Sequence, residues 1–246
     1  MAGAALEAAV NGEVRLSKRV ALTGLYSRHE ADRLISQGRV TLNGEIVVPG
    51  TKVPLGGGVI AVDGITLGEK DLGVYKFHKP RKTLSSYSDP NGKANLSVFP
   101  QLAGKRMGYS GRLDYDSEGL ILFTSDGDLI YRLQRSEFHV EKEYQVHTDK
   151  DIDKKWINKL SAGIESDGEL FLPCKVEQLL PCQYKVILTE GKKRQVRRMF
   201  KVAGVKVVRL VRVRIGCVRL GGLPEGGLEK LTDEETKELW KCTESK

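Results

Sequence analysis

A chain of 246 residues with 40% hydrophobic content and a mean hydropathy of −0.31 holds enough apolar material for one large domain, or a large and a small one. No apolar run approaches the ~20 residues that cross a bilayer, and the cysteines (Cys174, Cys182, Cys217, Cys242) and scattered histidines show no metal-ligand spacing, which argues against a membrane span, a metal site and a disulfide framework. The net charge of +8 and pI of 9.2 favour a polyanionic partner.

The first residues, MAGAALEAAVNGEV, carry two acids, Glu7 and Glu13, and no base before Arg15. That pattern is neither a secretory signal nor an Arg-rich transit peptide. A cytoplasmic location is expected, with an organelle left open if a leader has been removed. Residues 1–12 are expected to be a tail and residues 13–70 a small helix–helix–hairpin module with its linker. Ser27-Arg28-His29-Glu30 is a capping box, because the serine can cap the amide of Glu30 while Glu30 reaches back to the amide of Ser27. Ala31, Leu34 and Ile35 then form a helical apolar stripe, and Gly38 stands where a left-handed C-cap belongs. Val40-Thr41-Leu42 and Glu45-Ile46-Val47-Val48 flank Asn43-Gly44, which predicts a type I′ hairpin. Leu55-Gly56-Gly57-Gly58 reads as a turn, and a linker ends near Leu67 to Asp71.

Leu16-Ser17-Lys18-Arg19, Gly24-Leu25-Tyr26-Ser27-Arg28, Leu34-Ile35, Gly38-Arg39-Val40 and Leu42-Asn43-Gly44 together resemble the small RNA-binding domain named after ribosomal protein S-four. The resemblance implies that Arg15, Lys18, Arg19, Arg28, Arg33 and Arg39 meet structured RNA, although each taken singly reads equally well as a solvated surface charge.

Residues 71–246 are expected to form an α+β domain with a mixed, mainly antiparallel sheet flanked by helices. Gly73 to Lys79 is a strand closed by Pro80, and Thr83 to Ala94 a turn-rich loop. The segment GYSGRLDYDSEGLILFTSDGDL, Gly108 to Leu129, reads as a loop carrying an acid, a buried strand Leu120-Ile121-Leu122-Phe123, and a turn. Glu141 to His147 alternates as a strand with Tyr144 and Val146 on one face, where a tyrosine is ordinarily core. Tyr184 to Glu190 is a further strand. On a helix, Val196, Met199, Phe200 and Ala203 share one side, and Arg194, Arg197, Arg198 and Lys201 the other. In the last strand Val211, Val213 and Ile215 point inward, and Arg212 and Arg214 outward. Thr232 to Lys241 is a mixed-charge helix. Gly191 to Leu220 contains eleven basic residues and no acid. It is a candidate RNA surface through Lys192, Lys193, Arg194, Arg198, Lys201, Arg212 and Arg214, the plainer alternative being a solvated basic face.

Gly111-Arg112-Leu113-Asp114, Gly119-Leu120, Leu122, Thr124 and Asp126-Gly127 resemble the catalytic motif of pseudouridine synthases of the RsuA-like type. Ser117 stands for a Thr, Phe123 for a Leu and Ser125 for an Asn. Lys79-Pro80, Lys142-x-Tyr144, the Gln195-Val196-Arg197-Arg198-Met199 run and Leu210-x-Arg212-x-x-Ile215-Gly216 follow other motifs of that family in the same order. Lys82 departs from it, replacing a glycine. The resemblance implies isomerisation of uridine to pseudouridine in structured RNA, most simply ribosomal RNA or an assembling ribosomal particle, by a monomer needing no cofactor or metal. Asp114 is then the nucleophile, Arg197 its ion-pair partner and Tyr144 the ring stacked on the uracil. Arg112, Leu113 and Ile215 would bind the substrate or shape its pocket, while Asp116 and Glu118 read as surface charges. Two alternatives use the same basic surfaces. A ribosome-assembly factor or RNA chaperone would need no Asp–Tyr–Arg set, and a methyltransferase would need a Gly-rich cofactor loop after a strand, which no stretch supplies.

Overall fold

The computed structural model describes residues 13–23, 25–54, 58–67, 73–102 and 107–244. The chain divides into two compact units, one of residues 1–72 and 104–107 and one of residues 73–103 and 108–246. The tail 1–12, the Leu55 to Gly57 part of the glycine turn and the end of the linker lie outside the described residues.

The first unit begins with β1 (Glu13–Arg15), α1 (Leu16–Leu22) and α2 (Arg28–Ser36). The capping box forms: Ser27 Oγ accepts from the Glu30 amide at 3.1 Å, and Glu30 Oε2 from the Ser27 amide at 2.7 Å. The helix then ends at Gly38, whose φ of 68° is left-handed. Next come β2 (Val40–Leu42), β3 (Glu45–Ile46), β4 (Lys52–Pro54), β5 (Ile60–Val62) and β6 (Ile65–Thr66). Asn43 and Gly44 have φ of 53° and 88°, the two positive angles a type I′ turn requires. The hairpin's second limb stops at Ile46, two residues short of the expected Val48. The four-stranded sheet runs β3-β2-β5-β6, and β1 pairs with β4, so the module has more strands than its sequence signals. Leu16, Val20, Ala31, Leu34, Ile35, Val40 and Val62 close its core. Arg15, Arg28 and Arg33 are exposed. Arg39 instead holds both carboxylate oxygens of Asp63, at 2.8 and 2.5 Å.

The second unit is built on β7 (Tyr75–Lys79), β8 (Gly108–Tyr109), β9 (Glu118–Thr124), α3 (Gly127–Gln134), β10 (Lys142–Thr148), α4 (Lys154–Ser161), β11 (Ile164–Ser166), β12 (Glu169–Phe171), β13 (Lys175–Leu180) and β14 (Gln183–Leu188). It is completed by α5 (Gln195–Val202), β15 (Val207–Ile215), β16 (Val218–Arg219), β17 (Leu228–Lys230) and α6 (Asp233–Lys241). The sheet order is β13-β14-β10-β15-β9-β7-β17, with β8 added to β9 and β16 to β15; every pairing is antiparallel except β15 with β9. All seven residues of β9 are buried, as its apolar run requires at the centre of a sheet. Leu120 and Leu122 pack with Leu129, Leu133, Val211, Ile215 and Leu239. Tyr109 and Phe123 meet at 5.7 Å between ring centroids, and Phe123 and Phe77 also at 5.7 Å, edge to face.

Three expectations for this sheet are corrected. Arg212, expected to point outward, is buried, because β15 lies between β10 and β9, and its Nε donates to the Leu120 carbonyl at 2.7 Å. Arg214 is also drawn in, bonded to Glu143 and Glu141 at 2.8 Å each. Ile215 sits in the core cluster, not at a pocket. No helix among the described residues is long and apolar enough to cross a membrane.

Candidate active site

The loop between β8 and β9 carries Asp114, and its backbone is held at four successive residues. Ser85, fully buried, accepts from the Leu113 amide at 3.0 Å and donates to the Leu113 carbonyl at 2.9 Å. The Asp114 carbonyl accepts from the Ser117 amide at 3.0 Å, and the Tyr115 carbonyl from the Lys82 amide at 2.7 Å. The Asp116 carbonyl accepts from Arg197 Nη2 at 3.0 Å. The backbone that carries Asp114 is thereby fixed while its side chain stays 30% exposed.

That loop forms one wall of a cleft of about 750 Å³, within the roughly 300–1,000 Å³ common for ligand sites. Tyr144, only 8% exposed, lines it from β10, and Leu133, Leu188, Val196 and Leu210 supply apolar surface. Arg112 and Lys193 are exposed at its rim and Leu113 is buried in its wall, while Leu210 and Leu188 take the shaping place expected of Ile215.

Arg197 does not make the ion pair expected of it. Its Nη1 donates to the Val207 carbonyl at 2.8 Å, and its Nη2 to the Asp116 carbonyl and to Ser117 Oγ at 3.2 Å, with Asp116 Oδ2 3.6 Å away. Planted under the loop by three oxygens, the guanidinium ties it to β15, and burial lowers its pKa. The guanidinium next to Asp114 is that of Arg194, at 3.9 Å. Arg194 also grips Asp116 with two hydrogen bonds, of 3.1 and 3.3 Å, so Asp116 is a clamped carboxylate and not a plain surface charge. Burial pushes the Asp116 carboxyl up, but the Arg194 hydrogen bond and the Arg197 and Arg194 charges more than reverse this and leave it below the usual range. Glu118 is buried and pairs with Arg209 at 2.6 Å.

The basic side of α5 is less free than its spacing suggests. Arg194 precedes the helix in a left-handed conformation, φ 52°. Arg198 is bonded to Asp167 at 3.1 Å, Glu169 at 2.5 Å and the Ser166 carbonyl. Lys192 donates to the Leu170 carbonyl at 2.5 Å, and Lys201 is exposed. A second cleft of about 870 Å³ adjoins the first, lined by Arg81, Arg197, Lys201 and Lys206 with Asp116 and Asp149.

Four residues at or behind the cleft were not singled out from sequence for these parts: Lys79, Ser85, Lys142 and, as an inward group, Arg212. Lys79 is fully buried at the end of β7 and donates to the Pro80 and Thr83 carbonyls at 2.8 Å each. Burial pushes its ammonium down to about 8, with Asp114 and Glu118 opposing. The Lys-Pro and Lys-x-Tyr pairs were the available signals for Lys79 and Lys142; Ser85 had none. Lys82, in place of glycine, keeps a glycine-like φ of 55°. Lys82→Gly should therefore raise stability by roughly 0.5–1 kcal/mol, the left-handed cost less glycine's extra chain entropy. Urea midpoints check this, and a destabilised variant would contradict it. No group of His, Cys, Asp and Glu among the described residues could hold a metal ion.

A model of the RNA pseudouridylate synthase family matches residues 73–201, and one of the S4 domain matches residues 14–59. The dual-specificity RNA pseudouridine synthase RluF of Escherichia coli (strain K12) is 38% identical over 238 residues, covering 96% of this chain and 81% of the relative. The ribosomal large subunit pseudouridine synthase B of Salmonella typhi is 36% identical over 237 residues, 92% of this chain and 81% of the relative. A solved crystal structure of a pseudouridylate synthase aligns with a TM-score of 0.66 at 31% identity, over 92% of this chain and 99% of that one. A likeness of this degree, running through both units and through the strands and loop that build the cleft, places the chain in the RNA pseudouridylate synthase family, as an S4-domain-bearing isomerase.

Proposed function

We propose that the chain isomerises one specific uridine to pseudouridine in structured ribosomal RNA, with Asp114 as nucleophile. The observation that carries this reading is the shared cleft, lined both by a carboxylate on a loop pinned at four residues and by Tyr144. In the reaction a carboxylate oxygen of Asp114 bonds to ribose C1′ as the bond from C1′ to uracil N1 breaks, its electron pair leaving with the base. The base rotates, C5 bonds to C1′ and displaces the carboxylate, C5 loses its proton, and N1 gains one. No electrons are exchanged with a cofactor.

The target nucleotide must leave its stack, at a cost of a few kcal/mol. Stacking on Tyr144, worth about 1–3 kcal/mol, offsets part of that. Exposed Arg112, Lys193 and Lys201 near the clefts, and Arg15, Arg28 and Arg33 on the S4 domain, would hold phosphates. Arg197 positions the loop, and Arg194 supplies the cation beside Asp114. A ribosomal substrate is supported by the named activities of the large-subunit relatives.

The test uses unmodified large-subunit ribosomal RNA labelled with tritium at uridine C5. Release of tritium at a single position is expected, because C5 must shed its hydrogen. Binding without release, from naked RNA and from assembling particles alike, would favour a non-catalytic assembly factor.

A further inference from the structure

The floor of the catalytic cleft holds two cationic nitrogens with nothing to bind. Lys142 Nζ and Arg212 Nη2 are buried and have no hydrogen-bond partner among the described residues, yet both side chains line the cleft of Asp114 and Tyr144. Lys142 is 8% exposed and Arg212 4%. Their positions follow from strand register. Arg212 on β15 stands opposite Tyr144 on β10, and Lys142 lies two residues before Tyr144, which puts the three on one face of the sheet. Arg212 is held in place by its Nε bond to Leu120.

Burying an unpaired cation is unfavourable, and burying two as neighbours more so. The strain registers on Lys142, whose ammonium is pushed down to about 8, first by burial and then by the Arg212 charge. An acceptor carrying negative charge would relieve it. The geometry of the substrate says which atoms these are. Ribose C1′ must reach Asp114, whose side chain is partly exposed, so the phosphates lie toward solvent beside Arg112 and Lys193. The base lies beyond C1′, against Tyr144 and over the floor. Its acceptors are the two carbonyl oxygens.

We propose that Lys142 and Arg212 bind the carbonyl oxygens of the target uracil and stabilise the negative charge the base carries between departure and reattachment. This rests on the reading of Asp114 above. When Asp114 bonds to C1′ and the C1′–N1 pair leaves with uracil, the base becomes an anion spread over N1, C5, O2 and O4. Donors already in place in a water-poor floor favour that anion with little reorganisation. The anion's C5 then attacks C1′ and expels the carboxylate, and the C5 proton is exchanged for one at N1.

The experiment measures single-turnover conversion by the parent protein, Lys142→Met, Lys142→Arg and Arg212→Met, on RNA carrying uridine or 5-fluorouridine at the target. The electron-withdrawing fluorine stabilises the departing base by itself and lessens the need for a cation. Lys142→Met and Arg212→Met should each lose about 100-fold on uridine and markedly less on 5-fluorouridine, followed as loss of the starting nucleoside. RNA affinity should stay within about 2-fold, and Lys142→Arg should recover most of the rate. The melting temperature of Lys142→Met should not fall, because the substitution removes an unpaired buried charge. Equal loss on both substrates, no loss on either, or a variant that unfolds would each overturn the proposal and leave Lys142 a structural residue or a bystander. Asp114→Asn, run alongside, separates the two ideas: if it turns over at the parent's rate, the Asp114 reading fails, whatever Lys142 does.

Discussion

Gly119→Ala should cost the catalytic unit about 2–6 kcal/mol of stability, enough to unfold it in part at physiological temperature. Gly119 lies where β9 meets β15 in the one parallel pairing of the sheet, opposite Arg212. A Cβ there would fall 2.3 Å from the Arg212 carbonyl oxygen and 2.6 Å from its amide nitrogen. Both are backbone atoms inside a sheet and cannot swing aside. The glycine's φ of 112° is also outside the range an alanine tolerates. Strain of about 1–3 kcal/mol adds to overpacking of about 1–3 kcal/mol. A fall of roughly 10 °C in melting temperature is expected for a domain of this size. Gly111→Ala is the control: φ is 70°, but the new Cβ would come no closer than 4.0 Å to Arg212 Nη1, so only the left-handed cost of about 1–2 kcal/mol applies. If Gly119→Ala melts with the parent, β9 and β15 do not approach as described.

Much of the fold could be read from local chemistry. The Ser27–Glu30 box, the Asn43-Gly44 turn, the Leu120 to Phe123 run and the α5 stripe each depend on residues close in sequence, and each took the expected form. The family's motifs also placed Asp114 and Tyr144 where one cleft now holds both. What could not be read was the direction and partner of long charged side chains. Alternation in β15 says that Arg212 and Val211 face opposite ways, but not that both faces are covered once β10 and β9 flank the strand. The same alternation gave no sign that Glu141 and Glu143 would neutralise Arg214. The partners of Arg197 depend on how the start of α5 meets a loop some eighty residues earlier, a register no local pattern encodes. Arg198, read as a free cation, meets Asp167 and Glu169 through the short hairpin of β11 and β12, which carried no strong strand signal.

Asp114→Asn should abolish turnover, by about 10⁴-fold or more, while leaving the RNA dissociation constant nearly unchanged. An amide keeps the size of the side chain but has no anionic oxygen to bond with C1′. Its backbone supports, Ser85, Ser117, Lys82 and Arg197, bind main-chain or neighbouring groups and are untouched by the change. Of the cations near the loop, Arg194 retains Asp116 as its partner, so the variant should fold and melt close to the parent.

The most direct measurement is therefore tritium release from C5-labelled uridine in unmodified ribosomal RNA, taken for the parent and for Asp114→Asn at matched RNA occupancy. Release by the parent alone, with equal binding, is the predicted result. Release by both at similar rates would mean that the reaction does not pass through Asp114.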